Sequence, residues 1–359
     1  VTERQAPAPQ AIPAEAPAPE ARAAALERLL GLHGWADAAR QPLAADASFR
    51  RYIRLTKAAQ SVLVMDAPPP RENVAPFVTI ARHLISLGLS APRVLAEDQA
   101  HGFLLLEDFG DDTFTRLLGR GEPERPLYRL AVDTLIHLHT AAPASVPRDL
   151  PAYDSALLLT EAALLADWFV PAITGKPLPA PARRAYDDAW RAVFPLLAGE
   201  PPTLVLRDFH VDNLMRIAGR TGVAACGLLD FQDAVTGPRA YDLMSLLEDA
   251  RRDVPQDMAA DLRVHYTASM PDLQTPDCRR RFDVSYAALA AQRHAKVIGT
   301  FTRLAVRDGK PVYLAHIPRV WGLLDRALGH DALAPVADWF RRTIPNDLRR
   351  SPPWPPKGC

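Results

Sequence analysis

Lysine is scarce in this chain: of 42 basic side chains only five are lysines, Lys57, Lys176, Lys296, Lys310 and Lys357. Any site that needs a cation must draw mainly on arginine. Cysteine is scarcer still. Cys226, Cys278 and Cys359 lie far apart and form no CxxC pair, which argues against a structural zinc site or a disulfide framework. Cys226, inside an apolar run, reads as a small buried hydrophobe. There is no excess of either charge, since 42 acidic residues balance the 42 basic ones; a general nucleic-acid binder would show a basic balance or stripe. No uninterrupted apolar run approaches the ~18 residues of a membrane span. The acidic, proline-rich start has no apolar segment of the kind a signal peptide needs. These absences predict a soluble, cytoplasmic protein with no nucleic-acid, membrane or obligate protein partner. What is present is apolar mass: 48% hydrophobic residues in 359, enough for two lobes.

Residues 1–20, mostly Ala, Pro, Gln and Glu, have nothing to bury and read as a disordered leader. A first helix is expected from Pro19, on Ala23, Leu26, Leu29 and Leu30, followed by strands over 48–55 and 61–66 joined by a turn at 56–60. A helix from about Val74 to Leu87 closes on Gly88, and the run Gly102–Leu106 is a buried strand ending in Glu107-Asp108-Phe109-Gly110. Beyond it the pattern is helical, with helices expected around 127–139 and at 155–169, 182–198, 239–251, 256–269, 279–306 and 316–329. One strand group, 203–207, 214–217 and 223–230, interrupts them. The fold class is therefore α+β on a two-lobed, protein-kinase-like plan. A nucleotide-binding lobe over 21–106 precedes a hinge at 107–112, a helical lobe over 113–345 and a loose tail at 346–359.

Within the strand group, Leu206-Arg207-Asp208-Phe209-His210-Val211-Asp212-Asn213 has the spacing of a kinase catalytic loop, an Asp followed five positions later by an Asn. Leu228-Leu229-Asp230 then ends an apolar strand on a carboxylate. Transfer of a phosphoryl group from ATP needs a carboxylate at the acceptor hydroxyl, Mg²⁺ to offset charge, and positioning. Asp208 fits the first role. Asn213 and Asp230 supply oxygens of the kind Mg²⁺ takes. An isolated Asp-x-x-x-x-Asn is usually no more than a loop; two flanking strands and a second Asp make this one more.

Asp208–Met215, with Leu229-Asp230-Phe231-Gln232-Asp233-Ala234 and Gly237-Pro238-Arg239-Ala240-Tyr241-Asp242-Leu243, resembles the aminoglycoside phosphotransferase/choline kinase family over roughly residues 25–340. Its loop has the form H-G-D-x-H-x-x-N. His210 matches the second His of that loop, and Asp242 matches an Asp that either holds the loop or caps the following helix. Within the family, these segments together with Ser245–Val254 and Gln292–Gly299 are similar to the branch of anomeric amino-sugar kinases of cell-wall recycling. That resemblance implies ATP-dependent phosphorylation of the C1 hydroxyl of N-acetylmuramate and N-acetylglucosamine, giving the α-1-phosphate.

Leu206 and Arg207 depart from the family's His-Gly, and Arg207-Asp208 is similar to the Arg-Asp pair of protein kinases. The strand Val62–Asp66 lacks the phosphate-binding lysine, and Lys57 is the only lysine before the hinge. Arg50, Arg51 and Arg54, beside the small Ala45–Ser48 turn, are the candidates to replace it, with Ser48 in the covering turn. Without a strand lysine, Glu72 has no evident partner. Glu107 and Phe109 flank the expected adenine site. For the acceptor, Arg293, His294 and Lys296 suit a lactyl carboxylate, while His210, Gln232 and Asp233 border the catalytic residues. Trp168 and Trp321 read as core. Two alternatives remain: the same fold acting on an aminoglycoside, choline or homoserine, and an inactive pseudokinase scaffold. The absence of an A-P-E segment after Asp230 speaks against a protein kinase.

Overall fold

The fold comes from a computed structural model that describes residues 18–43, 49–141, 146–147 and 149–354. Ser48, the turn before it and most of the leader lie outside those residues. The chain divides into two compact units, one of residues up to 122 with 212–233, the other of 123–211 with 234 onward. Residues 212–233, grouped by sequence with the helical lobe, thus belong with the first unit.

The first unit opens with α1 (Pro19–Leu32), whose proline stands at a position where a missing N–H costs nothing. Five antiparallel strands follow in the order β1-β2-β3-β5-β4: β1 (Ala39–Pro42), β2 (Arg51–Lys57), β3 (Gln60–Asp66), β4 (Val94–Asp98) and β5 (Phe103–Glu107). Strand alternation sends Leu55, Val62, Val64, Phe103 and Leu105 to one face, where they bury against Ala25, Leu29 and Leu30 of α1. Between β3 and β4 runs α2 (Ala75–Ser86); after β5 come α3 (Phe114–Gly119) and the hairpin of β7 (Leu214–Arg216) and β8 (Cys226–Leu228). The strand expected from residue 48 begins at Arg51. Neither β1 nor β4 was expected: β1 is exposed throughout and β4 buries a single residue, so neither carries an apolar alternation.

The second unit contains α4 (Glu124–Thr140), α5 (Ser155–Leu164), α6 (Val170–Thr174), α7 (Ala180–Val193), α8 (Ala240–Leu247), α9 (Gln256–Ser269), α10 (Pro276–Val306), α11 (Ile317–Ala327) and α12 (Ala334–Thr343). It also holds the ladder of β6 (Pro202–Val205) with β9 (Val235–Pro238). The single strand group expected here is therefore two separate pairs, β6–β9 and β7–β8, because β9, written Val-Thr-Gly-Pro, gave no strand signal. The 31-residue α10 is the hub of this unit, packing on α5, α8 and α11. It crosses so close to α5 that a Cβ on Gly299 would lie 2.2 Å from the backbone carbon of Leu164, where the helix loosens into one π turn, Leu165–Phe169. The run 155–174 reaches the length and apolarity of a membrane span. It nonetheless carries the buried, ion-paired Glu161 and packs on α10, the position of a core helix. Trp321 is core, packed edge-on to Phe169 and Phe340.

Candidate active site

The face of the sheet away from α1 borders a cavity of about 500 Å³ that lies wholly within the first unit. Leu63 and Leu106 supply apolar wall, and Arg50, Arg54, Asn213 and Asp230 bring charge and polarity. Period-two alternation explains which arginines reach it. Residues 50, 52 and 54 point one way, whereas Arg51 shares the opposite face with Ile53 and Leu55 and is exposed. Glu107 and Phe109 both line the cavity. Glu107 is held at its carboxylate by Arg220 at 2.5 Å and Arg93 at 3.1 Å. Phe109 lies under the Arg220 guanidinium, and a Cβ on Gly227 would come within 2.9 Å of its ring.

Arg50 and Arg54 play different parts. Arg54 is tied to the segment after β5, pairing with the deeply buried Asp108 at 2.7 Å, with Asp111 at 3.0 Å and with the Gly110 carbonyl at 3.0 Å. Its hydrogen bond holds the Asp111 carboxyl below the usual range. Arg50 reaches Asp230 at 3.2 Å and Glu72 at 3.8 Å. Glu72, left without an evident partner by the sequence, thus faces an arginine where a kinase would pair it with lysine.

The β7–β8 register sets Leu214 opposite Leu228, so Asn213 and Asp230 emerge at the same end of the hairpin; the Leu229 N–H donates to the Asn213 carbonyl at 3.0 Å. Asp230 takes a left-handed conformation, φ 55°, beneath Phe231, which is fully buried and stacks on Phe77 of α2 at 4.9 Å. Gln232 donates to Asp230 at 3.0 Å and to Asp233 at 3.2 Å. Among the described residues no cluster of three His, Cys, Asp or Glu could hold a metal. Two oxygen donors in one cavity nevertheless fit Mg²⁺, which keeps water and phosphate as its remaining ligands.

In the second unit, Asp208 follows β6 in a tight turn centred on Arg207, its N–H donating to the Leu206 carbonyl at 2.9 Å. Arg207 stands at φ 69°, the left-handed region natural to the glycine that the family has there. Two carboxylates hold it. Asp242, fully buried at the third position of α8, accepts the N–H groups of Leu206 at 2.6 Å and Arg207 at 2.9 Å, which makes it the holder of the loop. Glu161 of α5 pairs with the Arg207 guanidinium and with Lys296 at 2.7 Å, and accepts from Tyr153 and Gln292. Burial pushes the Glu161 carboxyl up, but Lys296 and Arg207 bring it below the usual range. His210 is buried and sits 3.3 Å from Arg251. His294 bonds Glu248 at 2.8 Å and is lowered by burial, with Glu248 offsetting only part of the effect. Sequence reasoning missed Glu161 and Tyr153 because nothing local marks a carboxylate whose partners stand 46 and 135 residues away.

Burial pushes the Asp242 carboxyl up to about 7, against the two backbone N–H groups that favour its charge. Its folded pKa lies above the unfolded one near 3.8. Stability linked to this group is thus full below pH ~4 and is lost as pH rises toward 7, whereas the two accepted N–H bonds are strongest with the ionised form. Between pH 6 and 8 activity is expected to rise while the melting temperature does not. Asp242→Asn should abolish this rise, and its melting temperature separates the contribution of Asp242 from that of Glu200, which burial also pushes to about 7.

A β-sheet unit with a nucleotide-sized cavity and a helical unit presenting a loop Asp define a kinase-fold phosphotransferase. Residues 39–282 match the family model described as "Phosphotransferase enzyme family", and the chain belongs to that family. It is 36% identical to the N-acetylmuramate/N-acetylglucosamine kinase of Caulobacter vibrioides over 92% of this chain and 98% of that protein. It is 38% identical to the enzyme of the same name from Neisseria meningitidis, over 82% and 87%. Among solved structures it resembles a choline/ethanolamine kinase family protein from Mesorhizobium loti (TM-score 0.57, 16% identity, 90% and 98% covered). An ADP-bound aminoglycoside phosphotransferase is similarly related (TM-score 0.54, 16% identity, 87% and 99% covered). The chain is a kinase that phosphorylates a hydroxyl group.

Proposed function

We propose that this chain transfers the γ-phosphoryl group of ATP to the anomeric C1 hydroxyl of N-acetylmuramate and N-acetylglucosamine, yielding the α-1-phosphate in the recycling of peptidoglycan in the cytoplasm. The observation that carries the acceptor is identity of 36–38% with four kinases of that name, over 79–92% of the chain. Asp208 orients the sugar hydroxyl and takes its proton, which is the work of a positioned carboxylate in phosphoryl transfer. Asn213 and Asp230 would hold Mg²⁺, which supplies charge neutralisation on the phosphates when bound. Glu107 and Phe109 border the adenine. The test is ATP turnover with N-acetylmuramate, N-acetylglucosamine, kanamycin and choline, with ³¹P NMR to locate the new phosphate. Failure of both amino sugars ends the assignment, and a C6 phosphate would move the acceptor atom.

In this reading Arg50 replaces the strand lysine, meeting the triphosphate while orienting Asp230. Arg50→Ala is expected to lower kcat/KM for ATP by about 10- to 100-fold, the worth of a charge-assisted contact, with Arg50→Lys restoring part of it. An unchanged dependence on ATP would remove Arg50 from the site. Arg54→Ala is instead expected to lower thermal stability, since Asp108 would be left buried without its guanidinium.

A further inference from the structure

Three consecutive side chains of α10, Gln292, Arg293 and His294, are buried, and Lys296 lies one turn on. Two of the three basic groups are held by carboxylates, Lys296 in an ion pair with Glu161 and His294 in a hydrogen bond with Glu248. Arg293 is not. It is 6% exposed, its Nη1 is enclosed with no hydrogen-bond partner, and among the described residues no carboxylate pairs with it. A guanidinium cannot shed its charge at neutral pH, and a buried charge without a counter-ion costs several kcal/mol. The site therefore calls for an anion.

The helix that carries Arg293 packs on α8, whose Asp242 holds the Leu206-Arg207 turn before Asp208. The charge of Arg293 acts on Asp242, as does that of Asp208. Asp242 makes no hydrogen bond or ion pair with Arg293, and its two oxygens are turned to the Leu206 and Arg207 N–H groups. The acceptor is the molecule that must approach this loop. Resting on the function proposed above, its two forms differ in one anionic group, the lactyl carboxylate that N-acetylmuramate carries and N-acetylglucosamine lacks.

We propose that Arg293 receives this lactyl carboxylate and sets the preference between the two amino sugars. A guanidinium offers a carboxylate two parallel N–H donors; a neutral sugar leaves Arg293 as it stands in the free protein. The test compares wild type with Arg293→Gln and Arg293→Lys on both sugars and on the neutral lactyl amide of N-acetylmuramate. For Arg293→Gln, kcat/KM with N-acetylmuramate is expected to fall about 10- to 100-fold, and with N-acetylglucosamine less than about threefold. Wild type should lose on the neutral amide what Arg293→Gln loses on the acid, with Arg293→Lys in between. Equal losses on both sugars would assign Arg293 to the loop or to the transferred phosphoryl group and overturn the proposal; so would no loss on either. If Arg293→Gln does not fold, Arg293→Lys and the neutral amide decide by the same pattern. Wild type inactive on both sugars would instead sink the acceptor assignment, before any substitution is made.

Discussion

Asparagine at position 208 is expected to give a folded protein that still binds ATP but turns over about 10²–10⁴-fold more slowly. Asparagine keeps the size of the side chain and its capacity to hydrogen-bond the acceptor hydroxyl; it loses the basicity needed to take the proton. ATP binding should persist because the cavity of the first unit is lined without Asp208. The effect should fall on kcat rather than on the KM for ATP, which steady-state kinetics with isothermal titration of an ATP analogue would separate. Near-normal turnover would remove Asp208 from the chemistry and return the inactive-scaffold reading, with the cavity as a binding site alone.

Glu161→Gln is expected to produce the largest loss of stability, about 3 kcal/mol, seen as a fall of about 10 °C in melting temperature for a unit of this size. Only 8% of the Glu161 side chain is exposed, and it balances two cations that are themselves mostly buried. Glutamine fills the space but strands Arg207 and Lys296 without their counter-charge. Turnover should fall as well, since Arg207 occupies a left-handed conformation that costs a non-glycine residue about 1–2 kcal/mol and needs its partners to persist. Adding Arg207→Gly to this variant removes one stranded cation and relieves the backbone, so the double variant should recover part of the lost stability. A Glu161→Gln protein as stable as wild type would show the cluster to be dispensable.

These two outcomes bear on different levels of information. The placement of Asp208, Asn213 and Asp230 was readable because it is set locally: short apolar strands flank them, and a hairpin register brings Asn213 and Asp230 to one end. Strand alternation also held, unread, the separation of Arg50 and Arg54 from Arg51, since residues two apart share a face. The exposed β1, the scarcely buried β4 and the glycine- and proline-bearing β9 carried no such pattern, because their pairing partners, not their own residues, make them strands.

The sequence by itself determined the fold class, the spacing of the catalytic loop and the absence of a strand lysine, all consequences of residue type and short-range periodicity. Only the tertiary structure decided how charge is shared. It gave Arg50 to Asp230 and Glu72, Arg54 to the segment after β5, Lys296 and Arg207 to Glu161, and left Arg293 without an ion pair among the described residues. Charges are worth little apart in water and much when buried together, so their assignment follows from which helices pack and not from their order along the chain. That is why the Gly-to-Arg departure in the catalytic loop looked like an anomaly in sequence and became a buried ion pair once α5 and α10 closed around it.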